Sequence, residues 1–310
     1  MNRKELKKFI GGTIVTLPTA FDDNYKLDLG RQTEMTHWWM EQGLGTGTSP
    51  LKVAAAMGEG PDLGDDEWPY LLRTVVNAAG SDAAVICGLK TKNTLHTIED
   101  AKRAQDMGAI GLQIDLPIFH HSNQDDYVRF FTDISDAIDI GIMIYNTFWF
   151  GGVGLDSITA ETMLRLKDAE HVVALKWAVP EGQDYDDMKK FAHIFNVIDN
   201  SMQPVRCHKN GGRGYISRTI AAYPQHDREI WALLEAGRYE EAQVKYDAAN
   251  EALKDVYAKI ARRSGGYRFG KGLSAAMGRP VGPTRPPTLP MDEDEIAELR
   301  EVLKGMGWLA

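Results

Sequence analysis

One charged residue interrupts the apolar run Val172-Val173-Ala174-Leu175-Lys176-Trp177-Ala178. A run of that length and composition reads as a buried parallel strand. Burial strips the amine of its hydration and favours the neutral form, and a neutral amine in a pocket is a nucleophile toward a carbonyl carbon. Two blander readings stay open from the run alone: a structural ion pair, or a lysine whose head reaches out past the strand end. Tyr145 closes a second apolar run, Gly141-Ile142-Met143-Ile144-Tyr145. A phenol beside an amine that condenses with a carbonyl can move protons to and from the carbinolamine. It reads equally as a rim tyrosine with its hydroxyl in water.

Both residues need a scaffold that brings strand ends together. Short apolar runs recur at residues 13–17, 52–56, 83–87, 110–114, 141–145, 172–176, 195–198 and 214–217, giving eight candidate strands. The second is the weakest, because Ala54-Ala55-Ala56 has little β propensity. Helical period appears between them: Leu95, Ile98, Ala101, Ala104 and Met107 form one stripe stopped by Gly108, and Tyr127, Phe130, Phe131, Ile134 and Ile138 form another. Such alternation predicts an α/β fold, a (β/α)8 TIM barrel over residues 1–225. After Pro224 the character changes to a helical pattern over 227–260 with a break at Gly237. A connector over 278–290 and a last helix over 292–304 complete a C-terminal helical domain, residues 226–310. In a TIM barrel the chemistry sits at the C-terminal strand ends, so Tyr145 after strand five and Lys176 after strand six can face one cavity.

Composition narrows the partners. The chain has 310 residues, 43% hydrophobic and 25% charged, as in a soluble globular protein with a large core. Its net charge of -9, with no dense block of Lys and Arg, argues against nucleic-acid binding. The charged N-terminal segment leads into no apolar signal core, and no run is long enough to span a membrane. Cys87 and Cys207 are too few for a disulfide framework or a zinc site, which makes a reduced, cytoplasmic setting the expectation. Asp22-Asp23-Asn24 and Asp125-Asp126 read as a turn and a helix start rather than metal ligands. Gly211-Gly212-Arg213-Gly214 lacks the lysine and the strand–loop–helix context of a phosphate loop.

Several segments in order resemble the dihydrodipicolinate synthase / N-acetylneuraminate lyase family of class I aldolases. They are Gly12-Thr13-Ile14-Val15-Thr16, Gly58-Glu59 followed by Asp65-Asp66-Glu67, Ile144-Tyr145-Asn146, Leu175-Lys176, and Gly211 to Ser217. The resemblance implies a barrel with a C-terminal helical domain, assembly as a homotetramer or homodimer, and no metal or organic cofactor. By resemblance, Lys176 is the Schiff-base lysine and Tyr145 the proton-relaying tyrosine. The substrate would be a 2-keto acid or aldehyde. The positions matching the family's substrate-binding segments are Ala56, Met57, Phe119, His120, Asn146, Phe150 and Ile216.

The departures point away from dihydrodipicolinate synthesis itself. Where the family carries Gly-Thr-Thr or Gly-Ser-Thr, this chain has Ala55-Ala56-Met57, without the hydroxyls. Phe150 stands at the position of the synthases' carboxylate-binding arginine. Pro117-Ile118-Phe119-His120-His121 replaces a Pro-Tyr-Tyr-like segment. Phe119, Phe148, Trp149, Phe150 and Trp177 would form an aromatic pocket, or else ordinary packing between elements or subunits. His120 and His121 would supply acid–base function, or sit solvated on a loop. Glu59 reads as a supporting residue. A Schiff-base lyase leads; a hydratase-aldolase of aryl-substituted pyruvates, a deoxy sugar acid dehydratase and a non-catalytic binding protein on an aldolase scaffold are the alternatives.

Overall fold

The computed structural model describes residues 1–90, 92–117, 121–149 and 156–309. Eight strands close into a barrel in chain order: β1 (Gly12–Thr16), β2 (Leu51–Val53), β3 (Val85–Leu89), β4 (Gly111–Asp115), β5 (Gly141–Tyr145), β6 (Val172–Trp177), β7 (Asn196–Asp199) and β8 (Gly214–Ser217). From β3 to β8 each neighbouring pair is parallel. The helices are α1 (Arg3–Leu6), α2 (Leu29–Glu41), α3 (Glu67–Ala79), α4 (Thr94–Asp106), α5 (Gln124–Ser135), α6 (Ala160–Arg165) and α7 (Pro204–Lys209), followed by α8 (Pro224–Glu235), α9 (Tyr239–Ser264), α10 (Arg268–Ala276) and α11 (Glu293–Gly305).

All the expected strands form. The second is shorter than its run, because Ala54 turns into the left-handed region at φ 54 and ends the pairing at Val53. The α5 stripe is buried as its period requires, through Tyr127, Phe130, Phe131 and Ile134. The α4 stripe is displaced. Asn93 caps that helix, and Thr97, Ala101 and Ala104 are its buried residues while Leu95 is 73% exposed. The break between α8 and α9 falls at Gly237, φ 71. Helix α10 was not anticipated, since Gly270 and Gly272 lower its propensity. Burial of Phe269, Leu273 and Ala276 against α9 and α11 residues outweighs that cost.

The chain divides into two compact units. One comprises residues 1–14, 45–52 and 81–216, the other 15–44, 53–80 and 217–310. In the first, Leu6, Ile10 and Ile14 join Ile86, Met143, Val173, Ala174 and Ile198 in one apolar cluster. Ile10 lies against the N-terminal ends of β4 and β5. A Cβ on Gly111 or Gly141 would come 2.6 Å from its Cδ1, so a side chain at either position would make Ile10 shift. Apolar side chains thus fill that end, which leaves the C-terminal strand ends for polar groups. The second unit has its own core of Leu253, Val256, Ile260, Phe269, Leu273, Leu299 and Leu303. Within it the buried Arg268 guanidinium meets Glu295 at 2.6 and 3.1 Å. Among the described residues no helix is long and apolar enough to cross a membrane, and none forms a metal-ligating cluster.

Candidate active site

Strand register assembles the site. Asp115 ends β4, Tyr145 ends β5, and the two are partners; Tyr145 is in turn the partner of Lys176 on β6. The three residues stand side by side at one level. The Lys176 amine lies 3.3 Å from the centroid of the Tyr145 ring, so both side chains occupy the same face. Lys176 is 4% exposed. One layer down, Gln113 accepts a hydrogen bond of 2.9 Å from Lys52 on β2. β2 and β4 are separated by β3, so side chains from these strands meet only through the barrel interior.

The electrostatics follow from burial. Loss of hydration holds the Lys176 amine well below the ordinary lysine value; the Lys52 charge lowers it further, and Asp115 acts the other way. Burial brings Lys52 down to about 7 against the pull of Asp115. The Tyr145 phenol is pushed up by burial and by Asp115, while a hydrogen bond with Asn200 opposes the shift. These shifts favour a neutral amine, the form that can attack a carbonyl carbon, beside a phenol that keeps its proton to donate.

The sequence model of the dihydrodipicolinate synthetase family matches residues 9–306. The chain belongs to that family. A 4-hydroxy-tetrahydrodipicolinate synthase of Cutibacterium acnes is 30% identical over 285 residues, covering 91% of this chain and 92% of the relative. Another, from Heliobacterium modesticaldum, is 27% identical and covers 96% of each chain. The dihydrodipicolinate synthase structure of Thermotoga maritima superposes with a TM-score of 0.80 at 25% identity, over 97% of this chain and all of the other. Members of the family are class I lyases that work through a Schiff base.

The remaining residues expected at the site of a family member divide. Asn146 is fully buried, and its side chain is engaged in holding loops: it donates to Ser157 Oγ and to the Ala178 carbonyl and accepts from the Ile158 amide. Ile216 packs with the apolar cluster of the first unit. Trp177 alternates with Lys176 along β6 and points the other way, onto Tyr185 and Phe191. Of the expected aromatic group, Trp149 meets the Tyr145 ring edge-on at 5.6 Å and is 44% exposed. His121 is exposed. Phe119, His120 and Phe150 lie outside the described residues.

The family segment after β2 belongs to the second unit. Ala56 is half-buried and Met57 is 45% exposed. Glu59, at φ 64, is buried and pairs with Lys271 of α10 at 2.8 Å. Lys271 also donates to the Pro283 carbonyl and lies over the Phe21 ring. Glu59 is therefore a structural anchor within that unit, which holds a strained backbone in place.

Sequence reading missed Lys52, Gln113, Asp115 and Lys271. The signal for Lys52 was the one that flagged Lys176, a lone charge in an apolar strand. For Asp115 it was strand position: it follows Gly111-Leu112-Gln113-Ile114 at the C-terminal end. Nothing in the sequence linked Lys271 to Glu59.

Proposed function

We propose that the protein is a Schiff-base lyase acting on a 2-keto acid or related carbonyl compound, with Lys176 as nucleophile and Tyr145 as proton carrier. The observation that carries this reading is the buried Lys176 amine set against the Tyr145 ring. The amine lone pair forms a C–N bond to the carbonyl carbon while the oxygen takes a proton, with Tyr145 as donor. The nitrogen then returns a proton to the Tyr145 phenolate, which passes it to that oxygen, and the oxygen leaves as water as the nitrogen lone pair closes the iminium. The iminium then accepts the electron pair of an adjacent C–C or C–H bond, and the resulting enamine is reprotonated or loses a group at C3. No metal or organic cofactor enters these steps.

A 2-keto acid is favoured because two family structures, from Acinetobacter baumannii and from Escherichia coli K12, were solved with pyruvate. The second reactant is a separate matter. Ala56 and Met57 replace hydroxyl residues, and Phe150 replaces an arginine, at the positions that serve the synthases' carboxylates. Leaving a buried carboxylate without its partner costs several kcal/mol. We therefore read the chain as a family member with a reaction other than dihydrodipicolinate synthesis. Trp149, edge-on to Tyr145 and partly exposed, favours a hydratase-aldolase of aryl-substituted pyruvates. Assembly as a homotetramer or homodimer is carried over from the family resemblance, although one solved relative is a monomeric variant.

The test is borohydride trapping with a panel of 2-keto acids, followed by peptide mass mapping. Pyruvate and aryl-substituted pyruvates should add a stable mass to the peptide containing Lys176, and Lys176→Ala should abolish it. An adduct on another lysine, or undiminished trapping in Lys176→Ala, would refute the assignment. Failure with every carbonyl compound would turn the reading toward a binding protein. Turnover of pyruvate with aspartate semialdehyde above the Lys176→Ala control would restore the synthase reaction, whereas dehydration of sugar acids alone would identify a dehydratase.

A further inference from the structure

The barrel interior holds a second lysine that the reaction above does not use. Lys52 is 1% exposed, and its amine is tethered to Gln113 across the barrel. Gln113 and Asp115 lie two residues apart on β4 and therefore share a face. Asp115 stands in the row that continues through Tyr145 to Lys176. Among the described residues, two buried amines and one carboxylate thus act on one another, and a carboxylate can balance one positive charge.

We propose that Lys52 is a positioning residue for the Schiff-base reaction: held by Gln113 and facing Asp115, it carries the one charge the cluster can balance and leaves Lys176 as the neutral amine. The inference rests on the reading of Lys176 as nucleophile. An adjacent cation activates a lysine nucleophile by opposing a second ammonium. The balance persists through the reaction if the substrate is an acid, because the iminium formed on Lys176 is offset by the carboxylate that arrives with it. That favours 2-keto acids over neutral ketones of the same size.

The other titratable groups nearby do not take this role. On β3, Cys87 is buried, and burial pushes its thiol up, so it stays uncharged. On β7, Asp199 is in register with Trp177 rather than Lys176, and it accepts from the Tyr185 hydroxyl and the amides of Ser201 and Gln203. Tyr145 on β5 remains a neutral phenol with its value raised. Among the described residues, the charges acting on Lys176 are Lys52 and Asp115.

The rate of pyruvate trapping on Lys176 should be measured from pH 6 to 10 in the unaltered chain, Lys52→Met and Lys52→Arg. Lys52→Met removes the cation and leaves Asp115 facing Lys176, so the midpoint should rise by at least about one pH unit, a roughly tenfold loss at pH values below the original midpoint that is recovered in alkali. Lys52→Arg keeps the charge and should hold the midpoint near its original value. Trapping with an unmoved midpoint in Lys52→Met overturns this inference while the Schiff-base reading stands. A second measurement needs neither a variant nor a carbonyl compound. In competitive acetylation of the unaltered chain, Lys176 should become reactive at a lower pH midpoint than Lys52. The reverse order overturns the proposal even if no adduct forms.

Discussion

Lys271 and the pair Lys52 and Lys176 are buried lysines held in two different ways. Lys271 has a carboxylate of its own, Glu59, at 2.8 Å, and donates as well to a backbone carbonyl. Burial still lowers Lys271 and raises Glu59, but mutual attraction and the shared hydrogen bond oppose both shifts. Lys52 instead has a neutral amide as its hydrogen-bond partner, and Lys176 has the face of a phenol ring. Both feel Asp115 without the contact that Glu59 gives Lys271. A dedicated counter-charge makes a buried lysine a structural fastener. One carboxylate acting on two amines makes an amine that can lose its proton and react.

Removing the phenol tests the reactive half of this contrast most strongly. Tyr145→Phe keeps the ring on which the Lys176 amine rests and deletes the hydroxyl alone. A positioned acid–base group contributes roughly 10²–10⁴ in rate. Turnover of the 2-keto acid identified by trapping should fall by that factor, while the adduct on Lys176 still forms. More than half the original rate in Tyr145→Phe would move the proton transfer to another group, with His120 and His121 the first to examine.

The fastener half predicts a stability effect without a chemical one. Lys271→Met leaves Glu59 buried, with Oε1 already lacking a partner among the described residues. Breaking one side of a buried ion pair costs about 3–5 kcal/mol, and replacing both sides can return most of it. Denaturant unfolding should show that loss in Lys271→Met and recovery in the double variant Lys271→Met/Glu59→Gln. The pH midpoint for trapping on Lys176 should not move in the folded single variant. A shift like that expected of Lys52→Met would merge the two classes of lysine.

The sequence made the barrel legible because strand runs and helical stripes are local patterns with fixed periods. Lys176 and Tyr145 stood out for the same reason, each at a telling place in an apolar run. Lys52 was less visible, because it begins a run whose alanines make a weak strand and in which Ala54 takes a left-handed turn. Its meaning depends on Gln113 and Asp115, 61 and 63 residues later in the chain, which meet it through barrel closure. The Glu59–Lys271 pair is separated by more than 200 residues and carries no periodic signal. Leu95 failed for a smaller reason: a stripe read from spacing leaves the helix free to rotate by a residue, and the Asn93 cap set the face.

The smallest expected effect bears on Lys52 without reference to any substrate. An unfolded lysine holds its proton to about 10.5, whereas folded Lys52 releases it near about 7. Between those values the unfolded chain binds more protons, so folding stability must rise with pH, by up to about 1.4 kcal/mol per unit for one such group. Lys176 adds a slope of the same sign, because burial lowers it too. Between pH 7.5 and 9 the unaltered chain should therefore gain roughly 2 kcal/mol relative to Lys52→Met. The variant loses the Lys52 contribution outright, and part of that from Lys176, whose amine would move back toward its ordinary value. Lys271 is common to both chains and cancels from the comparison. Denaturant midpoints at each pH give the measurement. Parallel curves would mean that folded Lys52 holds its proton as an exposed lysine does, and the distinction drawn between it and Lys271 would fall.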